Sequence, residues 1–174
     1  MSTNERVLTG IITVAIALVT ASVATAQAKP NFSGTWTLDV EKSDMGGREP
    51  GGSGPGGGGP GRPMDAKVVI TQTAGELSID QQVNGNSNVL MIKLDGSESV
   101  NTGMRGGEVK SKARWDGATL IVQSVQTMRT PNGERTLETT ETRSLAPDGS
   151  MIVERTTETP RGTRTQKLVF KKTA

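Results

Sequence analysis

The chain has 174 residues, a net charge of +2, and no Cys, His or Tyr. Without His or Cys there is no Ser-His-Asp triad, no Cys nucleophile and no ordinary zinc or haem site, so we predict no enzymatic activity, no metal and no other cofactor. Acidic and basic residues are interspersed, and no basic stripe alternates with aromatic residues, which speaks against nucleic-acid binding.

Residues 1–28 have the pattern of a secretory signal peptide. Arg6 precedes an apolar run over residues 7–23, and small residues follow in two A-x-A motifs, of which the second ends at Ala28. The alternative is an uncleaved anchor, but the run is about 17 residues long, short of the roughly 20 that a spanning helix needs. We therefore predict a periplasmic or secreted protein with no stable membrane insertion after cleavage.

The stretch after the predicted cleavage site, "NFSGTWTLD", alternates as a strand does. Phe32, Gly34, Trp36 and Leu38 fall on one face, and polar residues fall on the other. We predict a strand over residues 32–40 whose glycine lets the chain pack closely beside the indole ring.

A glycine-rich tract, "GGREPGGSGPGGGGPGRP", follows this first strand. Gly loses the most entropy on ordering and Pro lacks a backbone donor, so the tract predicts a disordered loop over residues 43–65. No Gly-Lys-Ser/Thr ending follows, which excludes a phosphate-binding loop. The tract predicts either a mobile flap over a pocket or a neutral low-complexity insertion.

The rest of the chain consists of predicted strands separated by turns rich in Asn-Gly and Asp-Gly. Together with the first strand they make nine, at residues 67–72, 76–83, 88–94, 107–115, 118–129, 134–145, 151–159 and 163–171. This order predicts one all-β domain over residues 29–174, an antiparallel meander of about eight or nine strands. We expect it to close into a barrel, with an open β-sandwich as the alternative.

Turn geometry predicts which residues lie opposite each other in this meander. A three-residue turn over 147–149 brings Met151 and Val153 to the inner face and places Arg155 opposite Glu141. Two-residue turns over 116–117 and 132–133 predict further pairs: Trp115 with Ala118, Ala113 with Leu120, Met128 with Leu137 and Leu120 with Leu145. The register of the last hairpin then places Val153 opposite Phe170 and Arg155 opposite Leu168. With these pairings, a set of polar side chains points into the barrel: Ser124, Gln126, Thr139, Glu141, Arg143, Arg155, Arg164 and Gln166.

That polar set has two interpretations. Buried charges need partners, so a wet cavity with a polar end could hold a small amphipathic ligand. Alternatively, the strand ends overhang the core and these side chains lie in solvent. On the first interpretation the candidate ligand-binding residues are Gln126, Glu141, Arg143, Arg155 and Arg164, and the structural residues are Gly34, Trp36 and Trp115.

Gly34-Thr35-Trp36 on the first strand resembles the Gly-x-Trp signature of the lipocalin and fatty-acid-binding (calycin) barrels. The segments "FSGTW", "ARWDGATLIV" and "RSLAPDGSM" also resemble a group of uncharacterised exported bacterial proteins. The resemblance implies a barrel with its Trp at the closed end, ligands inside, and the segment after the first strand near the mouth. It further implies an Arg against the Trp, for which Arg164 is the nearest inward match. The Arg-Tyr carboxylate clamp of the fatty-acid-binding proteins cannot form without Tyr.

Three functions remain after these observations. The first is an exported barrel that binds a small hydrophobic or amphipathic ligand. The second is an envelope interaction module with a filled core and a basic face formed by Lys110, Lys112 and Arg114. The third, a hydrolase that uses two carboxylates, would require two acids to converge in one cleft.

Overall fold

The structure, a computed structural model, describes residues 28–46, 66–83, 85–103, 106–130, 133–159 and 162–173. Within these ranges the chain forms ten antiparallel strands and no helix, and hence no helix able to cross a membrane. The strands are β1 (Gly34–Leu38), β2 (Ala66–Gln72), β3 (Glu76–Val83), β4 (Asn86–Lys93), β5 (Ser99–Thr102), β6 (Glu108–Asp116), β7 (Thr119–Thr130), β8 (Gly133–Leu145), β9 (Met151–Thr159) and β10 (Gly162–Thr173). The predicted all-β meander is confirmed. Nearly all of the predicted signal peptide and most of the predicted glycine-rich loop lie outside the described residues.

The ten strands form one nearly closed barrel, not an open sandwich. The strand order is β4-β3-β2-β1-β10-β9-β8-β7-β6-β5, so β1 and β10 join the two ends of the chain. The seam between β4 and β5 is bridged by side chains. The Asn101 amide accepts from the Met91 backbone N–H at 2.8 Å and donates to the Met91 carbonyl at 2.9 Å. An asparagine side chain offers the same kinds of donor and acceptor as a peptide group, so it replaces a pair of backbone hydrogen bonds between the two strands here.

The sequence pattern predicts nine strands and does not indicate β5. It has four residues, "SVNT", and three of them are polar, so it carries almost no periodic signal. Its inward residues Ser99 and Asn101 are instead the ones that reach across the seam to β4. β5 therefore contributes more to closing the barrel than to burying apolar surface.

The three-residue turn after β8 is confirmed, and Arg155 lies opposite Glu141. The other predicted pairs are wrong by two residues, because each of these two-residue turns lies one residue earlier or later in the chain than expected. A shift of two leaves every side chain on its predicted face, since the side-chain period of a strand is two. The observed pairs are Trp115 with Leu120, Ala113 with Val122, Met128 with Arg135, Leu120 with Arg143, Val153 with Leu168 and Arg155 with Gln166.

The segment before β1 closes one end of the barrel. Phe32 is fully buried, its carbonyl accepts from Trp36 Nε1 at 2.8 Å, and its ring stacks on Trp115 with centroids 6.1 Å apart. The Phe32 backbone N–H donates to Gln72 Oε1 at 2.9 Å. These contacts tie residues ahead of β1 to the core, and we call this end the closed end.

After a turn over residues 40–42, the chain leaving β1 continues along β10. Asp44 and Lys167 exchange two backbone hydrogen bonds of 2.7 and 2.8 Å, and Met45 packs against the core. Residues 43–46, the first four of the predicted glycine-rich loop (43–65), therefore lie against the barrel. They lie at the end where β9 meets β10, opposite the closed end, and we call this end the mouth.

Candidate functional site

The inward side chains of β6 to β10 form cross-strand rows that change from apolar to polar along the barrel. From the closed end towards the mouth the rows are Trp115, Leu120, Arg143, Val153 and Leu168; then Ala113, Val122, Glu141, Arg155 and Gln166; then Ser111, Ser124, Thr139, Thr157 and Arg164. The interior therefore has an apolar half at the closed end and a polar half towards the mouth.

Three of the five predicted ligand-binding residues meet at the boundary between the two halves. Glu141 Oε2 accepts from an Arg143 terminal nitrogen at 2.6 Å, and Glu141 Oε1 accepts from Arg155 Nε at 2.6 Å. The side chains of Arg143, Glu141 and Arg155 are 4%, 14% and 31% exposed. We call these three residues the ionic cluster, and it lies inside the barrel, not beyond the strand ends.

The ionic cluster leaves one buried donor without an acceptor. Arg143 Nε has no hydrogen-bond partner among the described residues. A buried N–H of this kind is costly unless something accepts from it. The cluster also carries one net positive charge, because two guanidinium groups surround one carboxylate.

The surroundings of Glu141 have opposing effects on its pKa. Burial alone would raise that pKa, but the charges of Arg155 and Arg143 and the hydrogen bonds that they donate lower it from its usual 4.5 to about 2. Glu141 is therefore ionised at every pH at which the protein is expected to work.

This gives a prediction on acid stability. The pKa of Glu141 in the folded protein lies below its unfolded value, so its stabilising contribution is complete above about pH 4.5 and is lost as the pH falls from 4.5 towards 2. The loss should be on the order of 3 kcal/mol. Urea unfolding of the wild type and of Glu141→Gln across this range measures it. Among the described residues, these aspartates also have lowered pKa values and titrate in both proteins: Asp39, Asp80, Asp95 and Asp148. Only the difference between the two proteins therefore reports on Glu141, and equal pH dependence in both would contradict the prediction.

Beyond the ionic cluster the interior is lined by hydroxyl groups. Ser111 and Ser124 are hydrogen bonded at 2.8 Å, and Thr139 and Thr157 at 3.3 Å. Because hydroxyls can rotate to donate or accept, this row can adapt to a head group or to water.

The remaining two predicted ligand-binding residues lie apart from the cluster. Gln126 is half-buried one row nearer the mouth, opposite Val109 and Leu137. Arg164 is exposed and donates to the Met45 carbonyl at 2.6 Å, as Gln166 does at 3.1 Å. Arg164 therefore holds the chain at the mouth, and Met45 is a residue at the site that the sequence reasoning missed.

The three predicted structural residues lie at the closed end. Trp36 is buried and Trp115 half-buried. Gly34 adopts a φ of 139°, and a Cβ there would come within 2.6 Å of Lys172 Cε. The expectation that Arg164 lies against the Trp is wrong, because β10 begins at the mouth and ends at Trp36; the cation over that ring is Lys172, 5.5 Å from its centroid.

Comparisons with known proteins bear on the fold. No protein-family model matches the chain, and no curated protein matches it in sequence. Among solved structures, the zebrafish ileal bile acid-binding protein complexed with cholic acid matches with a TM-score of 0.56 and 16% identity, over 82% of this chain and 98% of that one. The REP1-NXSQ fatty acid transporter matches with a TM-score of 0.54 and 15% identity, over 82% and 96%. These likenesses support the predicted lipocalin-like barrel; at such identities they concern the fold alone.

Within the described residues no group of three or more Asp or Glu side chains is arranged to hold a metal ion. The site is thus built from arginines, one carboxylate, amides and hydroxyls. These groups can bind and orient a polar head group, and they lie next to the apolar half of the interior.

Proposed function

We propose that this protein binds a small amphipathic molecule inside its barrel, and that it acts by binding and not by catalysis. The observation that carries the proposal is the buried ionic cluster, with its unpartnered Arg143 Nε–H, at the boundary between the apolar and polar halves. Such an arrangement costs stability in an empty barrel, and a bound head group that accepts from Arg143 would offset that cost.

The charge of the interior favours a head group that is anionic or rich in hydrogen-bond acceptors. The ionic cluster carries one net positive charge, and Arg164 adds another at the mouth. The two structures compared above support this choice, since one is a fatty acid transporter and the other is a bile acid-binding protein complexed with cholic acid.

A pair of matched variants tests the proposal. Gln126 points into the barrel, whereas Val125, the preceding residue of β7, is exposed on the outer face. Gln126→Trp should fill the polar half and abolish uptake of dodecanoate measured by titration calorimetry, while Val125→Trp should leave uptake unchanged. Circular dichroism of both variants checks that they are folded. Failure of the wild type to bind dodecanoate or any other amphiphile would overturn the proposal.

The outer face supports a second candidate function, an interaction module for another macromolecule of the cell envelope. An open groove of about 450 Å³ lies over β6, β7 and β8, and Lys110, Lys112 and Val125 are among its exposed lining residues. Binding there should weaken with salt, because exposed charges are screened. Val125→Trp would then impair binding and Gln126→Trp would not, the reverse of the first result.

We also propose that the chain is exported to the periplasm or beyond. The support is the signal-like pattern of residues 1–28. N-terminal sequencing of the protein from a periplasmic extract tests this, with Lys29 expected as the first residue. A mature protein that retains Met1 would contradict it.

A further inference from the structure

Glu141 forms ion pairs with both arginines of the ionic cluster at once. One of its carboxylate oxygens accepts from Arg143 and the other from Arg155, each at 2.6 Å. A head group that enters the polar half therefore meets a guanidinium pair whose charge is already half cancelled. Ordinary stability does not demand this arrangement, since apolar residues of similar volume often replace buried ion pairs without loss.

We propose that Glu141 determines the charge selectivity of the barrel interior. The interior then accepts amphiphiles with a neutral or singly charged head group and disfavours those with a doubly charged one. The proposal rests on the proposed function. It identifies Glu141 as a specificity-determining residue that acts through its charge, and not as a contact for the ligand.

The geometry gives the physical reason. The free Arg143 Nε and the nitrogen that donates to Glu141 belong to the same rigid guanidinium group. An oxygen that accepts from Nε must therefore lie close to the Glu141 carboxylate. At separations of about 4–5 Å in a partly buried site, each further negative charge on the head group adds substantial repulsion. One net positive charge balances a monoanion but not a dianion.

Three probes with twelve-carbon chains test this inference: monododecanoylglycerol, dodecanoate and dodecyl phosphate. Their heads carry no charge, one charge and nearly two charges at pH 8. The wild type should bind dodecanoate more tightly than dodecyl phosphate when both are titrated below their micelle concentrations. Glu141→Gln should strengthen dodecyl phosphate binding about tenfold or more, strengthen dodecanoate binding less, and alter binding of the neutral probe least.

The control variant is Glu138→Gln. Glu138 lies on the same strand but is exposed on the outer face, so removing its charge should not alter the preference among the probes. An unchanged preference in Glu141→Gln, or an equal loss for all three probes, would overturn the inference. The second of those results would mean that Glu141 only positions the arginines.

A second pair of variants keeps the test decisive if Glu141→Gln does not fold. Arg143→Gln leaves Glu141 paired with Arg155, whereas the double variant Glu141→Gln/Arg143→Gln leaves Arg155 alone. Arg155 is 31% exposed, so water can solvate it there. The double variant should bind dodecyl phosphate more tightly than Arg143→Gln does, and equal affinities would overturn the inference. If the wild type takes up none of the three probes, the proposed function itself is wrong.

Discussion

Replacing Trp36 with alanine should lower the free energy of unfolding by about 3–5 kcal/mol, the range for large aromatic residues in a core. Trp36 is 1% exposed, and its indole N–H donates to the Phe32 carbonyl at 2.8 Å. The substitution removes the largest buried side chain of the closed end and leaves that carbonyl without its donor. Urea unfolding followed by circular dichroism measures the loss.

Trp115→Ala is the matched control. Trp115 is only half-buried, and its described ring contacts are the stack on Phe32 and the Lys29 ammonium 5.5 Å from its centroid. Its replacement should therefore cost clearly less than that of Trp36. Equal losses in the two variants would contradict the expectation that the buried Trp36 contributes more to stability than the half-buried Trp115.

Glu141→Leu should cost a similar 3–5 kcal/mol, because removing one partner of a buried ion pair leaves the other charge uncompensated. Arg143 is 4% exposed and its described ionic partner is Glu141, so it cannot turn towards water without rearranging the core. Glu141→Gln should cost less, since the amide oxygen can still accept from one guanidinium.

A second substitution, Arg143→Met, should reverse most of the destabilisation caused by Glu141→Leu. Adding Arg143→Met to Glu141→Leu replaces the buried pair by apolar residues of similar length, and most of the lost stability should return. Arg155, the third member of the ionic cluster, is exposed enough to be solvated. A double variant no more stable than Glu141→Leu would show that Arg143 is not the source of the cost.

The face of each strand could be predicted from the sequence, but the exact position of the two-residue turns could not. Alternation fixes only whether a side chain points inwards, so Glu141, Arg143 and Arg155 were placed inside correctly even where the pairing was off by two residues. The turn after β8 was predicted in full because Pro147 and Gly149 each favour one position of a three-residue turn.

The parts that were missed have no periodic signal. Asn101 closes the seam with its side chain, and a single asparagine in a short polar strand looks like any turn residue. The hydrogen bond between Arg164 and the Met45 carbonyl joins residues 119 positions apart, at a backbone atom that carries no side-chain information. Such long-range contacts to the backbone follow from the closed barrel and not from local sequence.

Nitrogen-15 NMR of side chains tests the central claim most directly, that the polar half of the interior is a binding site. The resonances of Arg143 Nε and of the Gln126 amide report on the interior, and the amide of Gln123 reports on the outer face. We predict that dodecanoate moves the first two saturably and leaves Gln123 in place. Movement of Gln123 alone, or of none of the three, would contradict an interior site.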